Sequence, residues 1–280
     1  MNKEAWYYNL DGELSHHGIK GQKWGEKNGP PYPLKGNNKP NESSGLLEVA
    51  LPAAVFAWDA FVIGTIIKNL KDAAKTPDQL RADKLKDIDN KLMKKRAIQT
   101  LDDAPKLDKP MSSEESMKVT NPGGTKVNGR SKNCVCCTTA MVMRKKGYDV
   151  QAIANPFKSG FYTKDYVTRA FENVEVKKPA SKGNGILDEL SKEGKNAYGY
   201  LGISFPDYGG GHSIYWENSG GKTRVYDGQV GIELTDMFTK NYGIGENTEH
   251  GERIYVREYE NVSKCEPTEY ALAMVEPRKE

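Results

Sequence analysis

Asn218-Ser219-Gly220-Gly221 separates two runs, His212-Ser213-Ile214-Tyr215-Trp216-Glu217 and Lys222 to Asp227, that have the pattern of a β-hairpin. A glycine turn this short leaves two registers. With Ser219-Gly220 as the turn, His212 stands opposite Asp227. With Gly220-Gly221 as the turn, it stands opposite Gln229. In both, His212, Asp227 and Gln229 point to one face, because strand side chains alternate with period two. Opposed residues have Cβ atoms about 4.5–5.5 Å apart. That spacing suits a carboxylate that orients an imidazole and stabilises its charged form. Gly209-Gly210-Gly211 leads into the first strand, where a backbone without side chains passes close to a substrate. Alone, the pair also fits a plain hairpin with His and Asp on a solvated face.

An imidazole with an orienting acid serves as a base for a nucleophile, and one stretch upstream supplies it. Asn133-Cys134-Val135-Cys136-Cys137-Thr138-Thr139-Ala140-Met141-Val142-Met143-Arg144-Lys145-Lys146-Gly147 has both ends of a helix marked. Asn133 is expected as the N-cap. Lys145 and Lys146 suit the negative end of the helix dipole, and Gly147 the left-handed turn beyond it. Cys134 then occupies the first helical position, where the positive end of the dipole favours a thiolate. Cys137, Ala140 and Met141 share a small apolar stripe that packs inward, Cys136 points to the opposite side, and Cys134 sits at the edge. Three small buried hydrophobes, or a redox pair of Cys134 with Cys137, are the alternatives. A metal site is not expected: Cys-x-x-Cys occurs once, with no second pair and no His-x3-5-His. No cofactor is expected either. Of the two later histidines, His250 lies in a polar loop, which leaves His212 as the base.

The order Cys, His, Asp is the papain-like order. Asn133-Cys134-x-x-Cys137 with Ala140, Arg144 and Gly147-Tyr148-Asp149-Val150, then Gly211-His212-Ser213 and Asp227-Gly228-Gln229, resembles the papain-fold toxins described as glutamine deamidases. The resemblance covers about residues 128–235. It implies Cys134 as nucleophile, His212 as base and Asp227 as the orienting acid. Cys136 is an extra thiol, and Lys145-Lys146 stand where arginines are common. The implied activity is amide hydrolysis on a protein substrate, deamidation of glutamine foremost. The oxyanion would be held by the Cys134 N–H and the Asn133 amide, and Gln229 would join the oxyanion or substrate site.

The rest of the 280-residue chain divides by composition. Residues 1–45 are Gly-, Pro-, Asn- and Lys-rich and expected to be irregular. Within them, His16-His17-Gly18-Ile19-Lys20-Gly21-Gln22-Lys23-Trp24-Gly25 resembles a short signature near the termini of tailed-phage proteins. That implies docking of residues 14–25 to a virion component or a packaging tag. Residues 46–101 carry an apolar segment, 46–70, that approaches membrane-span length but holds Asp59 at its middle, then a charged helix over 77–100 that starts at Thr76-Pro77. A linker is expected at 102–117, with linker-like Pro- and Gly-rich composition running on to residue 132, a catalytic domain at 118–262 and a C-terminal tail at 263–280. The expected fold class is α+β: a papain-like domain, its Cys-bearing helix on an antiparallel sheet, preceded by helical and irregular segments. A net charge of +3 argues against a nucleic-acid partner. Four cysteines, three of them clustered, form no disulfide framework, and Met1 to Leu10 lacks the apolar core of a secretory signal. The expected setting is the virion and then the bacterial host cytoplasm, with membrane association through 46–70 open. A cysteine peptidase, or an inert virion structural or cargo protein, are the other readings.

Overall fold

In the computed structural model, Gly220 and Gly221 both adopt left-handed φ, 59° and 76°. Such a pair closes a two-residue turn whose twist matches its strands. Ser219 pairs with Lys222 and Tyr215 with Tyr226, so of the two registers the Gly220-Gly221 one forms.

The structure describes residues 75–155, 162–180, 185–205, 210–238 and 255–279. The expectations for residues 14–25, the apolar segment 46–70 and His250 lie outside these residues. In chain order the described elements are α1 (Pro77–Lys95), α2 (Ser113–Lys118), α3 (Cys134–Lys145), β1 (Val150–Ala152), α4 (Thr163–Ala170), β2 (Val176–Lys177), α5 (Ile186–Ser191), β3 (Tyr198–Phe205), β4 (Gly210–Ser219), β5 (Lys222–Asp227), β6 (Ile232–Glu233), β7 (Tyr255–Asn261), α6 (Glu269–Leu272) and β8 (Val275–Pro277). The fold is α+β. Six strands pair antiparallel in the order β2-β7-β3-β4-β5-β6, and β1 pairs with β8 in a small second sheet.

Alternation along the strands builds two cores. Tyr200, Tyr215 and Tyr226 face one way and pack with Cys137, Ala140 and Met141 of α3. Leu201, Ile203, Ile214, Trp216 and Val225 face the other way, with Ile186 and Leu190 of α5 and with Phe238. The sheet therefore carries helices on both faces, and α3 is the central one on its side. The described residues from Ile88 onward form one compact unit. In the other unit, residues 19–87, the described part is residues 75–87. Helix α1 begins there with a reciprocal cap: Gln79 N–H donates to Thr76 Oγ1 at 3.3 Å and Thr76 N–H to Gln79 Oε1 at 2.9 Å.

Two boundaries differ from the composition-based expectation. The stretch 102–132 is no linker. It contains α2, closed by a capping box between Ser112 and Glu115, and it buries Thr120, Asn121 and Arg130. Residues 263–279 are no tail. They supply α6 and β8, and β8 pairs with β1 at Val150–Pro277, Gln151–Glu276 and Ala152–Val275. Helix α1 also stops at Lys95, short of the expected residue 100.

Glu260 of β7 is wholly buried, and among the described residues neither of its carboxyl oxygens has a hydrogen-bond partner. Burial, reinforced by the neighbouring charge of Glu258, pushes its pKa well above the usual carboxylate range.

Candidate active site

Helix α3 starts at Cys134 and ends at Lys145, with Gly147 at φ 92° beyond it. The expected side-chain cap does not form. Asn133 lies at the N-cap position, but its amide is turned inward and donates to Asn121 Oδ1 at 3.0 Å and to Ile153 O at 2.8 Å. Both of its amide hydrogens are thereby used, so the Asn133 side chain does not hold an oxyanion. Among the described residues no side chain caps the first turn of α3, which leaves its leading backbone N–H groups available to a developing negative charge.

The three cysteines separate by environment. Cys134 is partly exposed, whereas Cys136 and Cys137 are buried. Cys136 does not face outward as its angular position on the helix suggests, because α3 is buried from Cys136 through Arg144. Burial pushes the Cys136 thiol up to about 12. Burial likewise raises Cys137 well above the ordinary thiol value, aided by Cys136 and by the Asp227 carboxylate. A thiol with a pKa near 12 is ionised to roughly one part in 10⁵ at pH 7. Iodoacetamide at neutral pH is therefore expected to label Cys134 first. Mapped by peptide mass spectrometry, which separates it from the partly exposed Cys265, the label at the start of α3 persists in Cys136→Ser and is lost in Cys134→Ser; preferential labelling of Cys137 overturns this assignment.

His212 and Asp227 meet. Nε2 of the ring lies 2.6 Å from Asp227 Oδ2. In the register formed, Asp227 is the diagonal neighbour of His212, a distance within reach of an imidazole. The other oxygen, Oδ1, accepts from the Gln229 N–H at 2.8 Å and the Val230 N–H at 3.4 Å, so the carboxylate is fixed from both sides. Burial of the ring lowers its pKa. The Asp227 charge and hydrogen bond, then the Cys134 sulfur as hydrogen-bond partner and negative pole, more than reverse this. The net result is a pKa well above the ordinary histidine value. With Nε2 committed to Asp227, Nδ1 is the nitrogen left to take a proton from Cys134.

Gly228 explains how Asp227 comes so near α3. A Cβ at Gly228 would lie 2.9 Å from Met141 Sδ and 3.0 Å from Thr120 Cγ2. A side chain there would have to displace the Met141 thioether and the Thr120 methyl, or else the Asp227 turn itself. Gln229 is buried, and its Nε2 donates to Ser131 O at 2.8 Å. It braces the turn from within the protein and does not line a substrate surface. The start of α3 is also stitched to the sheet. Ser213 Oγ donates to Thr138 Oγ1 at 3.2 Å, and Thr138 Oγ1 donates to Cys134 O at 3.1 Å. Tyr200 OH donates to Thr139 Oγ1 at 2.9 Å. The phenol of Tyr166, on α4, is raised in pKa by burial and then by nearby Cys136 and Cys134. None of Ser213, Thr138, Tyr200 or Tyr166 carries a signal in sequence, since each contact spans elements far apart in the chain.

The structure thus brings Cys134, His212 and Asp227 together and places Asn133 and Gln229 beneath them. Among the described residues, no group of three or more His, Cys, Asp or Glu is arranged to hold a metal ion. Nor is any helix among them long and apolar enough to cross a membrane. No known protein family, curated protein or solved structure matches the chain.

Proposed function

We propose that this chain is a papain-like cysteine hydrolase that attacks an amide of a protein substrate, most readily the side-chain amide of glutamine. The observation that carries the reading is one arrangement. His212 Nε2 sits 2.6 Å from Asp227 Oδ2 while the same ring neighbours the partly exposed Cys134 at a helix start.

Nδ1 of His212 takes the Cys134 proton, and the resulting imidazolium is stabilised by Asp227. The sulfur attacks the amide carbon, and the oxyanion forms against the first N–H groups of α3. The imidazolium then protonates the amide nitrogen, which leaves as ammonia, and a thioester remains on Cys134. A water molecule gives a proton to His212 and attacks the thioester. The acid product departs, and the thiol is restored. The same groups cut a backbone amide if a peptide nitrogen occupies the leaving position. The preference for glutamine, a bacterial host protein as substrate, and docking to a phage particle through residues 14–25 rest on the two sequence resemblances.

The test is mass spectrometry of bacterial lysate treated with the full chain, with Cys134→Ala as control. Glutamine-to-glutamate conversion that depends on Cys134 supports deamidation. New peptide termini replace that reading with a peptidase. Neither change, with a folded protein, supports an inert virion protein and overturns the proposal.

A further inference from the structure

The loop that delivers Cys134 is pinned at every backbone carbonyl from residue 129 to residue 133. Gly129 O accepts from the Asn155 N–H at 3.0 Å, and Arg130 O from Asn121 Nδ2 at 3.2 Å. Ser131 O accepts from Gln229 Nε2 at 2.8 Å, and Lys132 O from Asn155 Nδ2 at 2.7 Å. Asn133 O accepts from the Cys137 N–H at 2.9 Å, the first bond of α3. Loops usually leave such groups to water. Here the donors come from the turn after α2, from the segment after β1 and from the Asp227 turn.

Asn121 joins these parts. One hydrogen of its amide goes to Arg130 O and the other to Gln229 O at 2.9 Å, and its own oxygen accepts from Asn133 Nδ2. One side chain therefore touches the nucleophile loop, the residue before Cys134 and the turn that carries Asp227. The Gln229 N–H, in the same residue that Asn121 grips, donates to Asp227 Oδ1. This network is poorly built for stability alone. Asn133 Oδ1 and Gln229 Oε1 are buried with no hydrogen-bond partner among the described residues. Buried polar networks that leave members unsatisfied do worse than an apolar filling, and such conflicts concentrate at functional sites.

We infer that Asn121 is a positioning residue that sets the distance between Cys134 and the His212–Asp227 pair, a role that rests on the hydrolase reading above. Nothing of Asn121 reaches a substrate, because the residue is buried. It acts by holding the two halves of the site in one register. Small displacements of reacting groups are known to cost about 100-fold in rate.

The test uses the full chain and needs no substrate. The His212 ring signal is followed by NMR across pH, assigned by its absence in His212→Gln. The second readout is the second-order rate of Cys134 alkylation by iodoacetamide at neutral pH. In Asn121→Leu, the His212 titration midpoint is expected to move down toward its ordinary value and the alkylation rate to fall at least tenfold. Asn121→Asp keeps the shape and the acceptor for Asn133 but loses the two donors. It carries the same expectation, and replaces Asn121→Leu if that variant does not fold. A scaffold role alone lowers the melting temperature and leaves both readouts of the folded protein unchanged; that result overturns the inference. If the wild-type His212 already titrates at its ordinary value and Cys134 reacts like a free thiol, the hydrolase reading itself fails.

Discussion

Asp227→Asn is expected to lower turnover about 10,000-fold while the hairpin stays folded, the scale of loss seen when the orienting acid of such a triad becomes an amide. The reason lies in which proton each nitrogen holds. The Asp227 carboxylate can only accept, so Nε2, 2.6 Å from Oδ2, carries the hydrogen and Nδ1 is left open as a base. An asparagine can present its NH2 to the ring. Nε2 must then accept, the hydrogen moves to Nδ1, and the imidazole has no lone pair for the Cys134 proton. The imidazolium also loses the charge that stabilises it, so the His212 pKa falls from its raised value.

The pH dependence of stability follows from the same shift. Because the folded-state pKa of His212 is raised, the protonated ring favours the native state. That contribution is fully present below the unfolded value of about 6.5 and is lost as pH rises through the folded value. Asp227→Asn removes it. Thermal melts of wild type and variant should therefore differ most below about pH 6.5 and converge at alkaline pH. A variant with near-normal turnover, or a His212 titration unaltered by the amide, contradicts the assigned role.

Arg144→Leu is expected to be the most damaging change to stability. Arg144 is buried in the last turn of α3, and among the described residues it has no ion-pair partner. Its guanidinium is held by neutral acceptors. Nε donates to Ser116 Oγ at 2.7 Å and Nη2 to Ser116 O at 2.8 Å, with further bonds to Val150 O and Thr120 Oγ1. Burial lowers its pKa to about 10, which still leaves it charged at neutral pH. Leucine fills the space but leaves the Val150 carbonyl and the Ser116 hydroxyl oxygen without the donor they have here, while Ser116 O keeps the Val119 N–H and the Thr120 hydroxyl. Each buried acceptor left without a donor costs about 1–3 kcal/mol, so a loss of about 3–5 kcal/mol is expected. Against a typical domain stability of about 5–15 kcal/mol, that is a large fraction. Urea unfolding should show a lower midpoint at unchanged slope. Arg144→Lys should recover little, because one ammonium cannot reach acceptors spread around a planar fork. A midpoint within experimental error of wild type shows that the guanidinium bonds contribute nothing net.

Features set by local chemistry were legible in the sequence. The glycine turn limits the hairpin to two registers, and period-two alternation puts His212 and Asp227 on one face in each. The Cys134 start and the Gly147 stop of α3 follow from residue preferences over a single turn. What the sequence hides depends on partners far along the chain. Asn133 is a good cap by type, yet its amide finds Asn121 and Ile153 in the interior and leaves the helix end open. Pro105, Pro110, Pro122, Gly123 and Gly124 give 102–132 the composition of a linker. Asn121 and Arg130 within it nonetheless bond to Gln229 and to Ala152. Residues 263–279 look like a tail because β8 is short and its partner, β1, lies more than a hundred residues earlier. Cys136 is buried because α3 has neighbours on more sides than one apolar stripe can announce.

The Glu260 carboxyl, buried in β7 without a hydrogen-bond partner among the described residues, ties folding to solvent acidity from a residue with no part in the proposed catalysis. In the unfolded chain at neutral pH this group has given up its proton to water. In the native chain, burial and then Glu258 hold its pKa well above the usual carboxylate range. Between the ordinary and the raised value, folding takes a hydrogen ion out of the buffer and unfolding returns it. The native state is consequently penalised more heavily as the medium becomes more alkaline, from the ordinary glutamate range upward. In its acid–base behaviour Glu260 acts in the same direction as His212: both groups make the fold hold more protons than the open chain, so through both of them mild acidity tightens the fold.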